Sequence, residues 1–269
     1  MVNEGLLAVV FATVCWWFGT GLILWLDRQR PGLMRWSLAA ASLLLVMSLW
    51  AAHESMRQTG AWQDYLGFAS VIVMWGWHEL AFLSGWLSGP RRSAMTPGAR
   101  GWQRWREAVA ALLWHELALL ANFVVLWALQ TGQPNHVALC TFSLLWCMRL
   151  SAKLNLFWGV PLHGAQYLPP QLTYLASYFR VARPGLGFAL SLAGASSVWG
   201  WLIWAASTGS VEVSTGWMLL ACLLGLGIVE HIVMVLPWPL EKLWGWALHK
   251  PLVLAEPQLD PPVVPWQGK

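Results

Sequence analysis

Seven apolar stretches, each long enough to cross a bilayer, constrain this chain of 269 residues more than any other feature. A helix needs about 17–25 predominantly apolar residues to span the hydrocarbon core. The stretches lie at about 5–26, 36–52, 65–88, 107–129, 137–160, 186–206 and 216–236. Because backbone groups inside a membrane must satisfy one another, the pattern predicts an all-α, polytopic integral membrane helix bundle.

The composition supports a membrane protein and argues against a nucleic-acid-binding one. Hydrophobic residues make up 58% of the chain and charged residues only 10%, against roughly a quarter in ordinary soluble domains. The net charge of +4 comes from basic residues clustered in loops. We therefore expect membrane lipid as a partner and no nucleic acid.

The distribution of basic residues between the stretches predicts an orientation. Arginines occupy every second loop: 27–35, 89–106 and 161–185. The loops between them hold Arg57 as their one basic residue: 53–64, 130–136 and 207–215. Because basic loops remain on the cytoplasmic side, the N-terminus is predicted outside and the C-terminus in the cytoplasm.

The sequence divides into two parts by hydropathy. Residues 1–236 are predicted to form a single transmembrane domain. Residues 237–269 are predicted to contain an interfacial helix over Trp238 to His249, anchored by tryptophans and Lys242, and a proline-rich cytoplasmic tail.

Ionisable residues within the apolar stretches are the main functional signal. Three stretches carry a His beside a Glu, and the fifth carries two basic residues one turn apart; the residues are His78, Glu79, His115, Glu116, Glu230, His231, Arg149 and Lys153. Such residues are costly in hydrocarbon and normally face a bundle interior or a functional pathway. Counted from the ends of their stretches, all lie in the middle or inner half of the membrane, which predicts one buried polar layer.

Three interpretations of this layer remain open from the residues alone. It could be a structural network of ion pairs and hydrogen bonds. It could hold a tetrapyrrole, with a neutral imidazole as axial ligand. A Glu/His metal site is the third, although no Glu-x-x-His spacing occurs.

Two sequence blocks resemble a known family. HELALLANF begins at His115 and MRLSAKLNLF begins at Met148. Both are similar to the photosynthetic complex assembly protein 2 family, encoded beside the reaction-centre H-subunit gene in purple phototrophic bacteria. The resemblance implies a multi-pass protein of the intracytoplasmic membrane, and it adds Asn122 and Asn155 to the eight candidate site residues.

The resulting functional hypothesis is a biogenesis factor for the reaction-centre and light-harvesting complex. The layer would bind or deliver bacteriochlorophyll or another tetrapyrrole, and the partners would be reaction-centre or light-harvesting subunits or pigment-biosynthesis proteins. The alternatives are a metal-dependent membrane oxidoreductase of pigment biosynthesis and a proton-linked transporter. No catalytic residue is assigned, and a non-enzymatic role is favoured.

Overall fold

The structure, a computed structural model, describes residues 2–29, 31–209, 211–238 and 240–248, and all regular secondary structure in these ranges is helical. The helices are α1 (Val2–Asp27), α2 (Pro31–Met56), α3 (Ala61–Leu83), α4 (Gly101–Gln130), α5 (Val137–Trp158), α6 (Leu186–Thr208), α7 (Val211–Val233) and the short α8 (Gly245–Leu248). Three 3₁₀ segments, Ala165–Tyr167, Pro170–Tyr178 and Leu240–Trp244, complete the described chain.

Seven of these helices are long and apolar enough to cross a membrane, which confirms the predicted multi-pass helical bundle. Two helix ends differ from the sequence prediction, because a helix can begin before its apolar stretch or end within it. α4 begins at Gly101 rather than near residue 107, because its first turns carry Arg104 and Arg106 outside the apolar stretch. α3 ends at Leu83 rather than near 88, where Gly85 adopts a positive φ of 74°.

α3 is the central helix, with half of its most apolar segment buried. It contacts α1, α2, α5 and α7, and α6 packs on the outside of α7. α4 approaches α3 much less closely than α2 does, so side chains rather than backbones fill the α3–α4 interface. Phe142 of α5 and Leu119 of α4 meet Met74 of α3 in the largest apolar cluster.

The loop after α3 folds back onto the side of α4. The His115 amide donates to the Ser88 carbonyl at 3.0 Å, and the Arg91 amide donates to the Ala110 carbonyl at 3.3 Å. Arg91 also pairs with Glu107 at 3.1 Å. The Nε of Arg91 donates to the Tyr178 hydroxyl at 2.8 Å. This hydrogen bond raises the pKa of the Arg91 guanidinium above its usual value. The loop therefore holds α4 at the turn that carries His115.

The described part of the C-terminal region folds back onto α1. The Trp17 indole donates to the Leu243 carbonyl at 2.8 Å, and the Trp244 indole donates to the Trp17 carbonyl at 2.9 Å. Trp244 is buried there, whereas Trp246 remains partly exposed. His249 and the predicted tail over 251–269 lie outside the described residues, so the proposed two-part division of the chain stays a prediction.

Candidate functional site

Each of the three His–Glu dipeptides directs its imidazole inward and its carboxylate toward the edge of the bundle. His78, His115 and His231 are 2%, 0% and 2% exposed. The side chains of Glu79 and Glu116 are 13% and 26% exposed. Adjacent helical residues diverge by about 100°, so one dipeptide cannot place both groups in the interior.

Two ion pairs join α5 to its neighbours. Arg149 Nη2 lies 2.7 Å from Glu79 Oε2 on α3, and Lys153 Nζ lies 2.6 Å from Glu116 Oε1 on α4. The Trp146 indole donates a further hydrogen bond to Glu116 at 3.1 Å. Buried or lipid-facing charges are tolerated when they are paired in this way.

Glu230 corrects the prediction of a wholly interior layer. Glu230 is exposed at the edge of the bundle, whereas the adjacent His231 is buried. The carboxylate accepts a hydrogen bond from the Trp16 indole of α1 at 3.0 Å and lies within electrostatic range of Arg149. The third acid is therefore held by a neutral donor and by a guanidinium already paired with Glu79.

A chain of hydrogen bonds crosses from α7 to α6 through α5. His231 Nδ1 lies 2.9 Å from the Gly227 carbonyl and must donate to it, which leaves Nε2 to accept from the Ser151 hydroxyl at 2.9 Å. Asn155 donates to Ser151 at 3.4 Å and to Ser191 at 3.2 Å. Both nitrogens of His231 are therefore satisfied, so its role in this arrangement is structural.

His78 and His115 differ from His231 because all four of their ring nitrogens are buried without a hydrogen-bond partner among the described residues. The Phe82 ring centroid lies 4.5 Å from that of His115, and Phe142 lies 6.1 Å from His78. Asn122 lies close enough to His78 to interact with its ring, and its side-chain nitrogen also lies 3.6 Å from Met74 Sδ. The two imidazoles lie within electrostatic range of each other at the α3–α4 interface.

The structure groups the ten predicted residues into two sets. Eight lie within hydrogen-bond or electrostatic range of one another, namely Glu79, Arg149, Glu230, Glu116, Lys153, His78, His115 and Asn122, and Asn155 lies with His231 in the second set. Sequence reasoning missed Trp16, Ser151 and Ser191, which supply neutral hydrogen bonds. Ser151 could have been found, because it shares a helical stripe with Asn155 at i and i+4.

The side chains at this site fit a tetrapyrrole held by one neutral imidazole better than a metal ion held by several side chains. In the described part of the chain, no group of three His, Cys, Asp or Glu residues is placed to hold a metal ion. The two unpartnered imidazoles do fit a tetrapyrrole chemically, because a neutral imidazole supplies the nitrogen lone pair that binds a central metal. Their complete burial means that a macrocycle could reach them only if the side-chain-filled α3–α4 interface opened.

Comparison with known proteins gives a family and one curated relative. Residues 1–252 match the family described as "Protein of unknown function (DUF3623)". The chain is 38% identical over 253 residues to the "Uncharacterized 30.4 kDa protein in puhA 5'region" of Rhodobacter capsulatus, covering 92% of each chain. No solved structure matches the chain.

Proposed function

We propose that this chain, which belongs to the DUF3623 family, is an assembly factor for the photosynthetic reaction-centre and core light-harvesting complex. The relative's name refers to the 5' region of puhA, the reaction-centre H gene, and bacterial genes that lie together often act together. The blocks HELALLANF and MRLSAKLNLF support the same reading. The protein would act in the bacterial inner or intracytoplasmic membrane, on reaction-centre or light-harvesting subunits or on pigment-biosynthesis proteins.

The observation that carries the pigment part of this proposal is the pair of unpartnered imidazoles. A buried polar group without a hydrogen bond costs about 1–3 kcal/mol. Native proteins rarely retain such groups without a reason. His78 and His115 form an adjacent pair of them, whereas the nearby His231 is fully hydrogen-bonded. A free nitrogen lone pair in an apolar setting is what the central magnesium of bacteriochlorophyll requires from an axial ligand.

The loose contact between α3 and α4 supports transient rather than permanent binding. Side chains fill this interface, and α4 is tied to α5 by the Lys153–Glu116 pair. Phe82 and Phe142 would offer ring faces to a planar macrocycle after a small separation of α4 from α3. A site whose axial imidazole ligands are buried when no pigment is bound suits the transfer of a pigment to an assembling subunit.

Replacing the unpartnered histidines with leucine tests the proposal. His78→Leu and His115→Leu remove unsatisfied nitrogens, so membrane abundance and thermal stability should stay unchanged or rise. Assembled core complex, measured by near-infrared absorption of membranes from a strain lacking the native gene, should fall. His231→Leu is the matched control, because it breaks two hydrogen bonds and should lower stability.

Two outcomes contradict separate parts of the proposal. If purified wild-type protein carries no tetrapyrrole absorption under conditions of active pigment synthesis, the pigment-binding part is wrong. If deletion of the gene leaves core-complex levels unchanged, the assembly role itself is wrong.

A further inference from the structure

A cavity of about 400 Å³ lies where α5 ends and α6 begins, outside the histidine pair. Its lining includes Asn155 and Trp158 of α5, Arg180 and Arg183 of the preceding loop, and Gly185 and Gly187 at the start of α6. Asn155 also belongs to the hydrogen-bond chain that runs from His231 to Ser191, so the cavity adjoins the polar interior on one side.

Backbone hydrogen bonds hold Arg180 at this cavity. The Arg180 amide donates to the Leu156 carbonyl at 2.9 Å, and the Val160 amide donates to the Arg180 carbonyl at 3.1 Å. Gly159, with a φ of 134°, permits the close approach, because a Cβ there would lie 2.6 Å from Ala182 Cβ. The loop that carries the arginines is therefore held against the end of α5.

The charge at the cavity is uncompensated. Neither Arg180 nor Arg183 makes an ion pair or a side-chain hydrogen bond within the described part of the chain. The neighbouring cation, Arg104, repels Arg180 and donates to the Phe157 and Tyr178 carbonyls at 2.6 and 3.0 Å. Arg180 and Arg183 are exposed and line the cavity, so both guanidiniums are available to an anion with several acceptor oxygens.

The start of α6 adds backbone donors to the same cavity. Gly185 provides no side-chain cap, and the first helical bond runs from Ala189 to Gly185. The amides of residues 186–188 consequently remain available for an anion at the positive end of the helix.

The surroundings indicate which anion would bind. Leu186 is 74% exposed and Leu190 63% exposed along the first turns of α6, and Trp158 is half exposed beside them. These apolar surfaces lie next to a charged cavity at the end of two membrane-spanning helices. We propose that the cavity binds the phosphate group of an anionic phospholipid, whose acyl chains run along α6. The site is independent of the assembly role proposed above.

The test is lipid retention by the purified full-length protein. Native mass spectrometry would compare phosphatidylglycerol with phosphatidylcholine, and inorganic phosphate would be added in large excess in a separate arm. Arg180→Gln combined with Arg183→Gln should weaken phosphatidylglycerol binding about thirtyfold while leaving phosphatidylcholine unaffected. The matched control is Arg35→Gln with Arg100→Gln, an equal charge change at two exposed arginines outside the cavity lining.

A second variant does not depend on removing arginines. Gly185→Asp places a carboxylate at the N-cap of α6, where a Cβ meets nothing within 4 Å. Asp is a favoured N-cap residue, so the variant should fold at least as stably as wild type and still lose phosphatidylglycerol.

Three results would overturn the proposal. They are unchanged phosphatidylglycerol binding in both cavity variants, an equal loss in the control pair, and displacement of the lipid by inorganic phosphate. The last result would indicate a site for a free anion.

Discussion

Single residues determine how charge is distributed across the bundle. In each His–Glu dipeptide the side chain with the smaller desolvation cost, a neutral imidazole, faces inward, and the carboxylate lies where a partner reaches it. Arg149, Lys153 and Trp16 are those partners. The interior consequently holds neutral imidazoles, and two of them keep free lone pairs.

Gly89 is the residue whose size most directly affects the position of His115. A Cβ at this position would lie 2.6 Å from the Ala111 carbonyl carbon and closer still to the Ala110 oxygen, both backbone atoms of α4. Gly89→Ala should therefore push the loop off α4, break the bond from the His115 amide to Ser88, and destabilise the protein by about 1–3 kcal/mol. Thermal unfolding in detergent measures the effect.

Gly32→Ala is the control for this substitution, because it lies in α2 with nothing within 4 Å of the new Cβ. It should be neutral or slightly stabilising. Equal unfolding midpoints for the two variants would mean that the loop does not pack tightly on α4.

At the scale of elements, α5 connects the helices around the site. Arg149 and Lys153 occupy one stripe and reach α3 and α4. Ser151 and Asn155 occupy a stripe about 200° away and reach α7 and α6. Polar residues at alternate positions of a helix therefore serve two opposite interfaces, which explains the spacing in MRLSAKLNLF.

The pairing of α5 with its neighbours predicts which double variants recover stability. Neutralising Glu79 or Arg149 alone with glutamine strands the other charge, whereas neutralising both should recover about 1–3 kcal/mol as a coupling energy. Glu116 with Lys153 should behave likewise. Coupling should be smaller for the exchanged combinations, Glu79 with Lys153 and Glu116 with Arg149. Similar coupling in all four combinations would show that the ion pairs are not specific.

At the scale of the whole molecule, loops with many arginines alternate with loops that have few. The loops over 84–100 and 159–185 gather at the end of the bundle where α3 and α5 finish, and the described structure joins them through Tyr178 and Arg91. The loops over 57–60 and 131–136 meet at the opposite end, where the Asn135 amide donates to the Met56 carbonyl at 3.1 Å. The bundle thus has a basic end and an opposite end that holds few basic residues.

Cysteine accessibility tests the orientation of these two ends. Ala94 is an exposed residue of the basic end and Gln58 an exposed residue of the opposite end, and the four native cysteines can be replaced by alanine. With a cytoplasmic basic end, Gln58→Cys should react with an impermeant thiol reagent in spheroplasts, and Ala94→Cys should react only after lysis. The reverse pattern would invert the predicted topology.

The sequence by itself determined the number and approximate positions of the membrane helices and the eight ionisable candidate residues within them. Hydropathy suffices for these predictions, because the free-energy cost of placing polar groups in hydrocarbon depends on the composition of each segment alone. The sequence also determined the stripe of α5 that Arg149 and Lys153 share, since helical periodicity fixes which residues share a face.

Only the tertiary structure decided which acid meets which base, because pairing depends on which helices are neighbours. It placed Glu230 at the edge beside Trp16, and it satisfied His231 through Ser151, while the ring nitrogens of His78 and His115 have no hydrogen-bond partner in the described part of the chain. The cavity at Arg180 and Arg183 likewise forms only when a loop more than twenty residues downstream of α5's middle folds back onto the end of that helix. Contacts between segments distant in sequence carry no local periodic signal, so the free lone pairs and the basic cavity could not be read from the sequence.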